Sequence, residues 1–135
     1  LDLKSDEGKR KFFELVKTAD IVVDSFRPGV LKKMNIDYDA AKLHNEKIIY
    51  VAITGYGYTG SYKDKAGHDM NYLGYSGILG LTGDKEKPVV PACQVADVAG
   101  GSYPTVVACL SALWARERTG KGQFVDVAMT DCVMP

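Results

Sequence analysis

The chain has little cysteine chemistry. Its three cysteines, Cys93, Cys109 and Cys132, lie far apart, and no C-x-x-C pair occurs. A thiolate zinc site and a dithiol redox centre are thereby excluded, and no metal site is expected. An odd number of scattered thiols suits a reducing compartment, so a cytoplasmic protein is expected. Charge of one sign is also lacking: Lys+Arg and Asp+Glu both number 17 among 135 residues. Nucleic-acid binding and membrane-surface binding both favour a basic excess, so neither partner is expected. No apolar run approaches the length of a membrane span. Residues 1–11 are polar and charged, without the pattern of a signal peptide. Repeats, low-complexity tracts and linkers are absent. The opening lacks methionine, and the close at Asp131-Cys132-Val133-Met134-Pro135 is equally abrupt. Both ends are expected of a segment excised from something longer.

What is present is globular in composition, with 46% hydrophobic and 25% charged residues. The pattern predicts a helix over 5–18, with Ser5 or Asp6 as its cap and Phe12, Phe13, Leu15 and Val16 as its apolar stripe. The β-branched run 19–26 reads as a buried strand. It is broken by Arg27-Pro28-Gly29, with Pro28 placed for the first turn of a short helix to about Met34. A second short helix is expected over 37–44 and a second strand over 47–54. A long loop-rich stretch follows to Pro91, with one short helix over 69–77, and a loop of that length is expected to be functional. A long helix over 98–118 is apolar all round and is therefore expected to be buried. Thr119-Gly120-Lys121-Gly122-Gln123 stops it before a third strand over 124–129. Strand and helix alternation predicts an α/β fold with a mainly parallel sheet.

Four constellations could carry chemistry. Ala66-Gly67-His68-Asp69-Met70-Asn71-Tyr72 sets a His-Asp pair beside a glycine in the long loop, and histidine can take and return a proton near neutrality. A hydrogen-bonded loop histidine is an equal reading of the same residues. Asp97 lies where the long helix begins. There it could cap the helix and be held ionised by backbone N–H groups and the helix dipole, or serve as base or nucleophile, and one residue can do both. Gly100 and Gly101 weaken the start of that helix, which points to close approach by a ligand or a partner segment. Arg27, Lys32 and Lys33 follow a strand, where cations can meet phosphates, although surface charge accounts for them equally. Arg116-x-Arg118-Thr119-Gly120-Lys121 is a capped helix end rather than a phosphate loop, because G-x-x-x-x-G-K-[ST] is absent. Gly55-x-Gly57-x-x-Gly60 follows a strand, but the residues after it read as loop. A dinucleotide site is rejected and a ligand loop remains.

Taken in order, these segments resemble the class III coenzyme A transferase family (CaiB/BaiF type), which also holds the α-methylacyl-CoA racemases. The residues that carry the likeness are Ala19-Asp20 leading to Phe26-Arg27-Pro28-Gly29-Val30; Ile49-Tyr50 leading to Thr54-Gly55-Tyr56-Gly57; Ala66 to Tyr72; Ala96-Asp97 with Gly100-Gly101; and Thr119-Gly120-Lys121-Gly122-Gln123 leading to Val125-Asp126 and Met129. The resemblance implies that residues 1–135 are part of a Rossmann-like, CoA-binding large domain, with the family's small domain absent. It implies an interlocked homodimer in a longer parent protein. It implies an acyl-CoA thioester as substrate and no separate cofactor. Two activities divide the family. In its transferases the aspartate matching Asp97 attacks the acyl-CoA, forming a mixed anhydride and then an aspartyl-CoA thioester. In its racemases a histidine matching His68 and the aspartate matching Asp97 exchange the α-proton from opposite faces. The segment around His68 is closer to the racemase form. By the same likeness Gly67, Asp69, Asn71 and Tyr72 are expected to line the acyl-CoA pocket, with Arg27 and Lys33 near the cofactor's phosphates. A third expectation is that the piece by itself is inactive and self-associating.

Overall fold

A computed structural model describes residues 1–134. The chain divides into two compact units, residues 1–52 with 108–125, and residues 53–107 with 126 onward. The fold is α/β. It holds a three-stranded sheet in the order β1 (Ile21–Asp24), β2 (Ile49–Thr54), β3 (Gln123–Ala128). β1 and β2 run parallel, with Ile21 opposite Ile49 and Asp24 opposite Ala52.

In the first unit, α1 (Asp6–Val16) starts as its sequence dictates. The Ser5 hydroxyl accepts the Gly8 N–H at 3.0 Å, satisfying a donor that has no partner within the helix. β1 is shorter than the apolar run because Asp24 Oδ1 accepts the Phe26 N–H at 2.9 Å and turns the chain. Pro28 lies just before α2 (Val30–Lys33) rather than in its first turn. Gly29, at φ +81°, occupies the cap position that a side chain would strain. α3 (Tyr38–Lys42) is capped by Asp37, which accepts the Ala40 N–H at 3.3 Å. Val16, Leu31, Ile36, Ala41, Ile48 and Tyr50 close the core of this unit. Asn45 fastens it: its amide donates to the carbonyls of Val16 and Ala19, both at 3.0 Å.

In the second unit, α4 (Asp69–Ser76) and α6 (Met129–Cys132) pack with a π-helical segment over Ala96–Ser102. Tyr72, Leu73, Ala96 and Val133 form its core. The long helix α5 (Tyr103–Thr119) continues directly from the π-helical turns. Two expectations are corrected here. The helical run from Ala96 to Thr119 is 24 residues, long and apolar enough to cross a membrane by length and composition alone. Nor is α5 buried all round. Tyr103, Val106, Val107, Leu110 and Trp114, spaced to share one helix face, are each more than half exposed. The apolar pattern is real, but nothing among the described residues covers that face.

Candidate functional site

The glycine-rich loop after β2 is shaped by hydrogen bonds from its ends. Thr54 Oγ1 accepts the Gly57 N–H at 2.9 Å, and Asp126 Oδ2 accepts the Tyr58 N–H at 2.8 Å. Thr130 donates both its backbone N–H (3.0 Å) and its hydroxyl (2.7 Å) to the Gly55 carbonyl. Gly57 and Gly60 take φ of +79° and +83°, which favours glycine. No helix opens on these glycines; α4 begins only at Asp69. Rejection of a dinucleotide loop therefore stands, because the pyrophosphate would lack its helix N-terminus.

His68 immediately precedes α4 and its side chain is exposed. Asn71 Oδ1 reaches back to accept the His68 N–H at 2.9 Å, which fixes the backbone of the histidine. Tyr72 is buried, and its hydroxyl donates to the Gly67 carbonyl at 2.6 Å. Burial raises its pKa, helped by Tyr56, Asp97 and Asp69, so this phenol stays protonated and keeps that bond. Side chains at Gly55 or Gly67 would collide with the Tyr72 ring, so the glycines make room for the residue that holds the His68 loop.

Asp97 lies in the first turn of the π-helical segment, a form that recurs at functional sites. It does not cap the helix. Asp69 does part of that work instead, its Oδ2 accepting the Asp97 N–H at 2.8 Å. The shift at Asp97 runs opposite to the pull of N–H groups and the dipole. The Asp97 pKa is raised, first by burial and then by the like charge of Asp69, while His68 lowers it. Partial burial and a neighbouring carboxylate both disfavour the anion. The Asp97 carboxyl thus holds a proton more readily than an ordinary aspartate.

His68, Asp69, Asn71, Tyr72, Gly67 and Asp97 therefore all lie in the second unit. Arg27 and Lys33 are exposed side chains of the first unit, Arg27 in the turn after β1 and Lys33 at the end of α2. Gly100 and Gly101 are explained by a partner segment. A Cβ on Gly100 would come within 2.5 Å of Val133 Cγ1 and 2.6 Å of the Met129 carbonyl oxygen, so α6 occupies the space. Two roles escaped the sequence reading, that of Asp69 as acceptor for Asp97 and that of Tyr56, whose ring meets Tyr72 edge to face at 5.3 Å. Neither spacing nor periodicity signals a contact across 28 residues.

The family model for CoA-transferase family III matches residues 1–135. Human alpha-methylacyl-CoA racemase is 38% identical over 132 residues, covering 97% of this chain and 35% of that protein. Succinate–glutarate CoA-transferase of Agrobacterium fabrum is 40% identical over 131 residues, covering 96% of this chain and 32% of that protein. Among solved structures, a CAIB/BAIF family protein from Brucella suis superposes with a TM-score of 0.91 at 42% identity, covering 97% of this chain and 35% of that one. The chain spans about a third of the length of these relatives.

Proposed function

The chain belongs to CoA-transferase family III, and from that premise we propose that it is part of the large CoA-binding domain of a longer enzyme that racemises or epimerises 2-methylacyl-CoA thioesters through His68 and Asp97. The observation that carries this reading is that one unit holds both the exposed imidazole of His68 and the Asp97 carboxyl, whose pKa is raised by burial and by Asp69 and lowered by His68. Inversion at an acidified carbon needs two proton carriers, one for each face. One group takes the proton from C2 as the C–H electron pair moves into the thioester enolate. The other delivers a proton to the opposite face of C2 as the carbonyl reforms. Backbone N–H groups are suited to hold the enolate oxygen between these steps.

In this reading Gly67, Asp69, Asn71 and Tyr72 line the acyl-CoA pocket, and Arg27 and Lys33 meet the phosphates of coenzyme A. The enzyme is a cytoplasmic, interlocked homodimer without metal. Support for its being part of a longer protein comes from the share of the relatives that the chain spans and from the bare apolar face of α5.

A second reading is favoured by a different feature. Among the described residues, no hydrogen-bond donor holds the Asp97 side chain, whose backbone alone is engaged by Asp69. Such a carboxylate is free to attack a thioester carbonyl, releasing the CoA thiolate and leaving a mixed anhydride. The thiolate then attacks the aspartyl carbonyl, freeing the first acid and leaving an aspartyl-CoA thioester for the acceptor.

The test follows the α-proton by NMR when the full-length protein meets a 2-methylacyl-CoA in deuterated water. Exchange that falls by about a hundredfold or more in both His68→Ala and Asp97→Asn supports proton transfer. Exchange that survives His68→Ala refutes the two-base reading. No exchange, with hydroxylamine trapping an acyl group on Asp97, establishes the transferase instead.

A further inference from the structure

The two cations proposed to meet the phosphates of coenzyme A sit on one short segment of the first unit. From Phe26 to Ile36 the chain carries Arg27, Lys32 and Lys33 and no carboxylate. All three are exposed, and none enters an ion pair among the described residues. Side chains of this length spread over many rotamers, so where they can reach is set by the backbone that carries them. That backbone is held at both ends.

At its start stands Asp24, the last residue of β1, buried at 7% exposure. Its Oδ1 accepts the Phe26 N–H at 2.9 Å, while Oδ2 meets no hydrogen-bond partner. A carboxyl is costly to bury, and burial alone would favour an apolar residue in its place. What this one does is fix the residue before Arg27. The turn that follows is closed by the Val30 N–H, which donates to the Arg27 carbonyl at 3.2 Å. Gly29, at φ +81° and ψ −10°, takes the third position of a type II turn, and Pro28 takes the second. At the far end stands Tyr50 of β2, 1% exposed, whose hydroxyl donates to the Ile36 carbonyl at 3.3 Å. Leu31 and Ile36 are buried in the core of the unit.

We infer that Asp24 and Tyr50 are positioning residues for coenzyme A: they hold the segment from Phe26 to Ile36 so that Arg27 and Lys33 meet its phosphates. Neither touches the ligand. Their role rests on the assignment of Arg27 and Lys33 to those phosphates. A segment fixed before binding spares the ordering that a loose one must undergo on meeting the ligand, and that difference appears as affinity.

Coenzyme A is titrated by calorimetry into the full-length protein and its variants at constant ionic strength, with thermal melts to show that each is folded. Asp24→Ala should weaken coenzyme A by about fivefold and Tyr50→Phe by about threefold, each the loss of one hydrogen bond. Asp24→Asn, which keeps the acceptor oxygen, should restore the parental affinity. The double variant Arg27→Ala with Lys33→Ala should bind weakly. Adding Asp24→Ala or Tyr50→Phe to it should change nothing further, because their effect passes through those cations. Should Asp24→Ala fail to fold, Tyr50→Phe, which keeps the buried ring, carries the same comparison. If both folded single variants bind as the parent does while the double variant is weakened, the positioning role alone is overturned. An equal loss with and without the two cations overturns it as well, since the effect then arises elsewhere. A double variant that binds as the parent does sinks the phosphate assignment and the positioning role together.

Discussion

Asp97 owes its raised pKa first to burial and then to Asp69. Asp69 engages the Asp97 backbone and, through its own charge, raises the proton affinity of the Asp97 side chain. Asp69→Asn keeps an acceptor oxygen but removes the charge. The Asp97 pKa should then fall, read directly from its carboxyl ¹³C shift against pH; an unchanged titration would contradict the coupling. The sign for stability follows. A carboxyl with a raised folded-state pKa binds its proton more tightly in the folded protein, so its contribution is present at low pH and is lost as pH rises through that raised value. Asp24 is in the same position. It is buried, its Oδ2 meets no hydrogen-bond partner, and burial raises its pKa against the opposing pull of the Phe26 N–H and the Tyr50 hydroxyl. Stability should therefore decline as pH rises from the ordinary carboxylate range through the raised Asp24 value. Asp24→Asn should flatten that decline, measured as urea midpoints at acidic and neutral pH.

Elements are joined at points where glycine alone fits or where a single cation ties strands to a helix. Gly122 precedes β3, and a Cβ there would run into the Ile48 carbonyl at the entry to β2. The obstacle is backbone, which cannot rotate away, so Gly122→Ala should cost about 3 kcal/mol by chemical unfolding. Gly120, at φ +72°, ends α5, and its N–H reaches the Arg116 carbonyl at 2.7 Å. Arg116 in turn pairs with Asp20 at 2.7 Å and donates to the Lys47 carbonyl at 3.2 Å, tying α5 to the chain just before β1 and β2. Its side chain is largely sheltered while that of Asp20 is mostly exposed, so screening limits the pair. Arg116→Ala should therefore cost only about 1 kcal/mol in the same measurement.

For the whole molecule, the exposed face of α5 is decisive. Five large apolar side chains on one helix face exceed what an isolated soluble chain leaves bare. The 135-residue chain by itself should scatter light with an apparent mass above 14.7 kDa. Replacing Leu110 and Trp114 by lysine should return it towards that mass without loss of helical circular dichroism. A clean monomer before substitution would show that the face does not drive association.

Local signals were legible wherever a few neighbouring residues settle the outcome. Ser5, Asp37 and Gly120 mark helix ends through one hydrogen bond or one backbone angle, and the β-branched runs at 21–24 and 49–54 form strands, of which 49–54 is buried as expected while Val23 in 21–24 is exposed. The order of short motifs likewise carried the family, since those residues recur as a set. Tertiary structure decided what depends on distance. The sequence could not tell that Asp69 rather than Asp97 serves the π-helical turn, nor that burial raises the Asp97 pKa. It could not set the Tyr50 hydroxyl against the Ile36 carbonyl. Solvation and Coulomb effects act through space, and residues far apart in the chain acquire them only when folding brings them together.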